Sequence, residues 1–134
     1  MDQAICARVA AIVGSAALQK VVSAIYDYSA AGHRNVAADA RTGSISGYDY
    51  STSSHFSGTG TSTPGGIRGG ISGGVSGSFD IYDYQRSAHV SFRLDNSVFS
   101  GYDYSTSSHF SGSVNASAIW IYDNATGKHY IYSV

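Results

Sequence analysis

A motif of eight residues, beginning with Tyr-Asp and ending with His, recurs five times along this chain. All five histidines, nine of the eleven tyrosines and five of the nine acidic residues lie in these copies. Two copies belong to a thirteen-residue segment, SGYDYSTSSHFSG, that occurs unchanged at 46–58 and at 100–112. Such a concentration predicts a repeat architecture in which each copy is one supersecondary unit. The copies are YDYSAAGH at 26–33, YDYSTSSH at 48–55, YDYQRSAH at 82–89, YDYSTSSH at 102–109 and YDNATGKH at 122–129.

Each copy has the sequence pattern of a β-hairpin. The copies start 22, 34, 20 and 20 residues apart, so the period is close to 20 residues once a Gly-rich insertion is set aside. In the third unit, the aromatic and β-branched runs SFDIYDY and HVSFRL flank QRSA, which is typical of two strands joined by a four-residue loop. We therefore predict an all-β fold of five antiparallel hairpin repeats, arranged as a meander, a sheet pair or a closed barrel. An open meander would leave strand edges that need cover, which favours closure or oligomerisation.

The register within each hairpin is predicted by placing the residue after Asp opposite the His of the same copy. Ile81 then faces Phe92 and Gly47 faces Gly58, so large residues meet large ones and Gly meets Gly. The same alternation sends aliphatic residues to one face of the sheet and Tyr, His and Ser to the other. We predict that the aliphatic face is the core.

The six-residue spacing of Asp and His could serve a general base or a metal site. The predicted register instead sends the two side chains to opposite faces in most units. This favours a structural role, in which Asp accepts amide hydrogens of its own turn and His covers the neighbouring Tyr. In the last unit, NATGK is typical of a type I turn with a Gly bulge, which would pair Asp123 with His129. We predict no catalytic residue, no metal site and no cofactor, and expect that the protein is not an enzyme.

The Tyr, His and Ser face is the predicted functional surface. Tyr rings beside hydroxyl groups suit stacking on sugars or other flat ligands, and they also suit packing against a second copy of the same face. Cross-strand Tyr pairs that only stabilise the sheet are the alternative. The candidate ligand-binding residues are Tyr48, Tyr50, His55, Tyr82, Tyr84, His89, Tyr102, Tyr104, His109, Trp120 and Tyr122.

Charge and cysteine content exclude several classes of partner. Eight basic and nine acidic residues give a net charge of −1, which is not the basic field that nucleic acid binding needs. No apolar run approaches the ~20 residues of a membrane span. Cys6 stands alone, which excludes an internal disulfide framework and favours a small buried side chain.

The compartment stays unknown; the composition leans towards an extracellular or surface protein, although no convincing signal peptide is present.

The chain is expected to form a single domain, 1–134, whose first twenty residues precede the repeats. Asp2 could cap a short helix over about 3–19, and a strand through RVAAIV is the alternative. The apolar residues that such a helix would bury are Ile5, Val9, Ile12 and Val13.

The five hairpin repeats are expected within 21–134, with a Gly-rich insertion at 58–77. The insertion, GTGTSTPGGIRGGISGGVSG, predicts either a mobile loop or extended backbone lying against something flat. Pro64 is expected to mark a turn at its entry.

The stretch SAIYDYSAAGHRNVAADAR, and the pattern of units near 20 residues from Ser23 onwards, resemble the repeats of curlins, the bacterial amyloid-fibre subunits. This resemblance implies a stacked solenoid that assembles into fibres. Asp27 and His33 stand where curlin repeats place Gln and Asn. The residues themselves predict a non-catalytic structural or self-assembling protein, whose partner is itself as a homo-oligomer or fibre. The alternative is a multivalent, lectin-like module that binds carbohydrate or another small ligand.

Overall fold

The protein folds as an antiparallel sheet wrapped around a helix. This computed structural model describes residues 3–64, 67–68, 71–72 and 75–134, with side chains for 3–60 and 77–134. The helix, α1, is Gln3–Leu18. The strands are β1 (Ile25–Asp27), β2 (Gly32–Arg34), β3 (Val36–Asp39), β4 (Ser44–Asp49), β5 (Ser54–Pro64), β6 (Ile67–Arg68), β7 (Ile71–Ser72), β8 (Val75–Asp83), β9 (Ala88–Asp95), β10 (Val98–Asp103), β11 (Ser108–Asn115), β12 (Ala118–Asp123) and β13 (Lys128–Ser133).

Within the described residues, eleven strands form one sheet in the order β2-β1-β13-β12-β11-β10-β9-β8-β5-β4-β3. The five motif copies form hairpin 1 (β1–β2), hairpin 2 (β4–β5), hairpin 3 (β8–β9), hairpin 4 (β10–β11) and hairpin 5 (β12–β13). The two outermost strands, β2 and β3, are consecutive in the chain with only Asn35 between them, so the sheet is nearly closed as a barrel. The all-β hairpin prediction is confirmed. The hairpins lie side by side in this sheet, unlike the stacked solenoid that the curlin resemblance implies.

Helix α1 lies inside the barrel. Each residue from Ile5 to Ala16 is buried, so more than three turns have no exposed face. A helix that is apolar all round is stable where protein surrounds it. The predicted helix is therefore present, but its burial is not limited to one face and includes Arg8 and Ser15.

The side of the interior formed by β5, β8, β9, β10 and β11 is filled by phenylalanine rings. Phe79 and Phe92 stack with their ring centroids 5.1 Å apart. Phe99 and Phe110 each lie 6.4–6.5 Å from Phe92. The predicted division into an apolar inner face and a Tyr, His and Ser outer face is confirmed, because the apolar residues of these strands are buried and the motif Tyr and His residues are partly or largely exposed.

The predicted hairpin register is wrong by two residues. In each hairpin the Tyr before Asp, not the residue after it, lies opposite His; Tyr48 opposite His55 is one example. An even shift leaves every side chain on its predicted face. The physical reason is that Gly lies opposite a large residue: Gly47 faces Phe56, whose ring atoms lie 2.1 Å from where a Cβ of residue 47 would be.

The last hairpin follows the same register. Its Asp123 pairs with Lys128, so the predicted pairing with His129 is also wrong. Gly127, at φ +69°, ends the turn in the left-handed conformation that Gly adopts without strain.

The described residues of the Gly-rich insertion are extended. Strands β5 and β8 pair from Phe56–Asp83 as far as Pro64–Val75, and β6 pairs with β7 as a separate two-stranded sheet. Pro64 is the last residue of β5 and pairs with Val75, so the prediction that Pro64 marks a turn is wrong. Residues 65–66, 69–70 and 73–74 of the insertion lie outside the described part of the chain.

Candidate functional site

The tips of the five hairpins lie at one end of the barrel, and each tip carries a cluster of aromatic side chains on the outer surface. In hairpins 1 to 4, the first Tyr of the motif contacts both the second Tyr and the His, with ring centroids 4.7–5.0 Å apart and rings nearly perpendicular. Edge-to-face packing of this kind stabilises aromatic pairs. We call these the Tyr–Tyr–His clusters; their members are Tyr26, Tyr28 and His33; Tyr48, Tyr50 and His55; Tyr82, Tyr84 and His89; and Tyr102, Tyr104 and His109.

The second Tyr of each cluster is the most accessible member. The exposed fractions of Tyr28, Tyr50, Tyr84 and Tyr104 are 56%, 60%, 58% and 58%. These residues lie in the hairpin turns, beyond the last strand residue, because the register differs from the predicted one. A phenol ring and its hydroxyl are therefore open to solvent at each of these tips.

The Asp of each motif builds the turn that holds this Tyr. Its Oδ1 accepts the backbone N–H two residues further on, at 2.9 Å from Ser29, 3.0 Å from Ser51 and 2.9 Å from Ser105. The N–H groups of Gln85 and Ala125 make the equivalent bonds at 3.0 Å. The predicted structural role of Asp as an Asx-turn acceptor is confirmed.

Neighbouring hairpins are tied together at the same level. The backbone N–H of Tyr84 donates to the carbonyl of His55 at 3.2 Å, and that of Tyr104 donates to the carbonyl of His89 at 3.0 Å. Each of these bonds places the turn Tyr of one hairpin beside the His of the hairpin before it. The clusters are therefore positioned by backbone hydrogen bonds as well as by ring packing.

The second carboxylate oxygens of two motif Asp residues bind a buried arginine of the helix, which the sequence reasoning missed. Arg8 is 2% exposed; its Nε donates to Asp49 Oδ2 at 3.0 Å and its Nη1 to Asp83 Oδ2. Its Nη2 donates to the Thr52 hydroxyl at 2.9 Å and to the Gln85 side chain. The available signal was that Arg8 is the single charged residue of α1.

Burial favours the neutral form of one side chain of the helix and one of β13. Burial raises the pKa of the Cys6 thiol to about 12. Burial likewise raises the pKa of Tyr132, whose hydroxyl has no hydrogen-bond partner within the described residues. Both side chains are buried in the core.

Grooves run between neighbouring hairpins on the outer surface. One groove of about 450 Å³ lies between hairpins 3 and 4, where His89 and Tyr104 line it together. An adjoining groove of about 570 Å³ crosses β5, β8, β9 and β10 and shares Asp80 and Ser91 with the first. A third, of about 390 Å³, lies between hairpins 1 and 2 and is lined by His33 and Tyr50. A His of one hairpin and the turn Tyr of the next thus line a groove at two places, between hairpins 1 and 2 and between hairpins 3 and 4.

The candidate residues divide into two groups. Nine of them form three of the Tyr–Tyr–His clusters. Tyr122 contacts His129 with centroids 4.6 Å apart, in a hairpin where Asn124 replaces the second Tyr. Trp120 is 47% exposed and lies opposite Ser113 and Ile131, in no Tyr–Tyr–His cluster. The predicted set omits the cluster of hairpin 1, although its motif gives the same signal.

The described residues hold no group of three or more His, Cys, Asp or Glu side chains arranged to bind a metal ion. None of their helices is long and apolar enough to cross a membrane. The fold and the surface together define an antiparallel barrel of tandem hairpins around a central helix, with aromatic clusters at the hairpin tips. Comparison of the chain with protein-family models, curated proteins and solved structures gave no match.

Proposed function

We propose that the protein is a non-catalytic, multivalent carbohydrate-binding module, and that the hairpin tips are its binding surface. The observation that supports this most directly is the recurrence of one arrangement, in which the His of one hairpin and the exposed turn Tyr of the next line the same groove. Two sites of this kind on one surface suit a ligand with repeated units. The filled interior directs any ligand to the outer surface.

The side chains have the chemistry that sugars need. A Tyr ring that is 58–60% exposed offers an apolar plate for the C–H face of a pyranose, and its hydroxyl can exchange hydrogen bonds with the ligand. Ser, Asn and His side chains line the same grooves and can pair with sugar hydroxyl groups. Each site is shallow, so we expect weak binding per site and a large gain from several sites on one polymer.

The test is a glycan array probed with fluorescently labelled protein. The wild type is compared with the triple variant Tyr50→Ala, Tyr84→Ala, Tyr104→Ala and with the control Val98→Ala, whose side chain is 58% exposed outside the clusters. We expect the wild type and the control to bind the same glycans, and the triple variant to lose them. Absence of any glycan signal from the wild type, or an unchanged triple variant, contradicts the proposal.

Self-association through the same surface is the second candidate. It is supported by the small net charge of −1, which limits repulsion between copies, and by the exposed Tyr rings, which can pack against each other. Because the sheet is nearly closed, association of this kind would use side chains and not strand edges. Sedimentation velocity at rising protein concentration tests it: concentration-dependent oligomers that disappear in the triple variant support it, and a monomer at every concentration excludes it.

A further inference from the structure

We infer that the groove between hairpins 3 and 4 is the principal sugar site, and that it takes a neutral pyranose with vicinal hydroxyl groups. The inference rests on the proposed carbohydrate function and adds which of the repeated grooves dominates and why. Two adjoining grooves, of about 450 and 570 Å³, meet here and share Asp80 and Ser91. Together they offer the space of more than one sugar ring.

The groove lies where two adjacent rows of the outer face carry no aromatic ring across β8 and β9. Thr59, Asp80 and Ser91 lie opposite one another across β5, β8 and β9. The next row is formed by Ser78, Arg93 and Ser100 across β8, β9 and β10. The row on the other side carries the rings of hairpins 3 and 4, so a floor of polar residues lies beside an aromatic wall.

Tyr104 is the part of that wall suited to stacking. Its ring is 58% exposed, and its backbone N–H is bound to the carbonyl of His89, which fixes the turn against the groove. The His89 ring packs edge-on against Tyr82. A sugar that stacks on Tyr104 therefore lies beside a His whose position is already set.

Asp80 supplies the hydrogen-bond acceptor that specifies vicinal hydroxyl groups. Its side chain is 62% exposed, and its Oδ1 lies 3.3 Å from His89 Nδ1. One carboxylate oxygen is thereby oriented, and the group can accept hydrogen bonds from two neighbouring sugar hydroxyls. Arg93, which lines the same groove, offers donors to ring or hydroxyl oxygens. A carboxylate and a guanidinium in one groove leave it without a net charge, which favours a neutral sugar over an acidic one.

Hairpin 2 has the same thirteen-residue segment as hairpin 4 and therefore gives a matched comparison for the site at Tyr104. Tyr50 and Tyr104 occupy the same position in the two unchanged segments, and their exposed fractions are 60% and 58%. The groove beside Tyr50 is lined by His33, Arg34 and Asn35 and contains no carboxylate among its described lining residues. The guanidinium of Arg34 is bound to Asp27 at 2.7 Å. Each site thus has an equivalent Tyr ring for stacking, and the two differ because the groove beside Tyr104 has the Asp80 carboxylate as a hydrogen-bond acceptor.

The experiment titrates the protein with a panel of neutral oligosaccharides built from glucose, mannose, galactose or N-acetylglucosamine, and with galacturonate oligomers as the acidic probe. Binding is followed by calorimetry and by chemical-shift changes. Tyr104→Ala and Asp80→Asn are compared with the twin variant Tyr50→Ala. Each variant is checked by thermal unfolding. Tyr104→Ala and Tyr50→Ala each lose one edge-to-face ring contact and should unfold alike, slightly below the wild type, whereas Asp80→Asn, whose side chain is 62% exposed, should unfold as the wild type does.

We expect a neutral oligosaccharide to bind the wild type, Tyr104→Ala and Asp80→Asn each to weaken it about tenfold or more, and Tyr50→Ala to weaken it less than about threefold. Equal losses for Tyr104→Ala and Tyr50→Ala, with Asp80→Asn unchanged, would overturn this inference and leave the multivalent proposal standing. Preference for galacturonate would overturn the assignment of a neutral ligand. No binding by any sugar would overturn the proposed function and this inference together.

Discussion

Replacing Arg8 with Met removes the cation that joins the helix to two hairpins. The guanidinium is 2% exposed and donates to Asp49 and Asp83, whose exposed fractions are 1% and 2%. Without it, two carboxylates stay buried, and the partners left to them among the described residues belong to their own turns. Breaking a buried ion pair by removing one partner costs about 3–5 kcal/mol. Since a domain of this size has a total stability of about 5–15 kcal/mol, the loss should be large and measurable by urea denaturation.

The identical hairpins allow the contribution of Arg8 to be isolated. Asp49 and Asp103 both bind their own turns through Oδ1, at 3.0 and 2.9 Å from the backbone N–H groups. The Oδ2 of Asp49 binds Arg8, whereas that of Asp103 accepts the Thr106 hydroxyl at 3.0 Å. Changing each Asp to Asn keeps the turn acceptor and removes the charge.

A double-mutant cycle then gives the result. We expect a coupling free energy between Arg8 and Asp49 of about 1.5–3 kcal/mol, and one between Arg8 and Asp103 below about 0.5 kcal/mol. If Arg8→Met does not fold, Arg8→Lys replaces it in the cycle, because Lys keeps the charge without the forked geometry. Equal costs of Asp49→Asn and Asp103→Asn, or equal couplings to Arg8, would refute the reasoning.

Three further predictions test the backbone and the core. Gly47→Ala should lower the free energy of unfolding by about 1–3 kcal/mol or more, because its Cβ would lie 2.1 Å from the facing ring. The control Gly32→Ala, whose Cβ would meet nothing closer than 3.8 Å, should change it by less than about 0.5 kcal/mol. Similar losses in the two variants would contradict the packing argument. Ser107, at φ 51°, holds in hairpin 4 the position that Gly127 holds in hairpin 5. Because Gly adopts a positive φ without strain, Ser107→Gly should stabilise the protein by about 0.5–1 kcal/mol and Gly127→Ala should destabilise it in thermal unfolding. Shifts of the opposite sign would reject this account. Burial raises the pKa of Cys6 from its ordinary 9.0 to about 12, so the stability provided by the protonated thiol is complete below pH 9 and is lost as the pH rises towards 12, by up to about 1.4 kcal/mol per pH unit. The free energy of unfolding, measured with urea between pH 8 and 11, should therefore fall less steeply with pH for Cys6→Ala than for the wild type. Parallel curves would disprove this prediction.

The hairpins and their two faces could be predicted because both depend on local pattern. A two-residue period fixes which side chains share a face, and the repeated motif fixes where each chain reversal occurs. The register could not be predicted in the same way. The predicted register places Gly opposite Gly and large residues opposite large ones. In the structure Gly47 and Gly112 instead lie under the rings of Phe56 and Phe99, and this pairing depends on the volume available inside the barrel.

The position of the helix depends on the whole sheet. Its sequence, QAICARVAAIVGSAAL, has no polar face, which is a signal for burial on all sides. That signal becomes decisive only when the sheet is known to close, because an open sheet would cover one face alone. The two carboxylate partners of Arg8, Asp49 and Asp83, lie 41 and 75 residues away along the chain, and no sequence pattern links them to Arg8.

The site was predicted in composition but not in shape. The motif identified the Tyr and His residues and their outer face. The grooves, however, depend on which residues of adjacent hairpins meet, and the contact between Asp80 and His89 comes from a cross-strand arrangement that the predicted register would have changed.

The enclosed helix has a consequence for how the protein folds. Helix α1 contacts β3 and β4 at one end of the strand order and β1, β12 and β13 at the other, so it bridges the seam where the sheet meets itself. A wall without its helix would surround an empty space, and the helix without its wall would expose apolar surface all round. We therefore expect that neither part is stable alone and that the two form and are lost in one cooperative step. The amide hydrogens of the helix should then exchange only when the whole molecule opens.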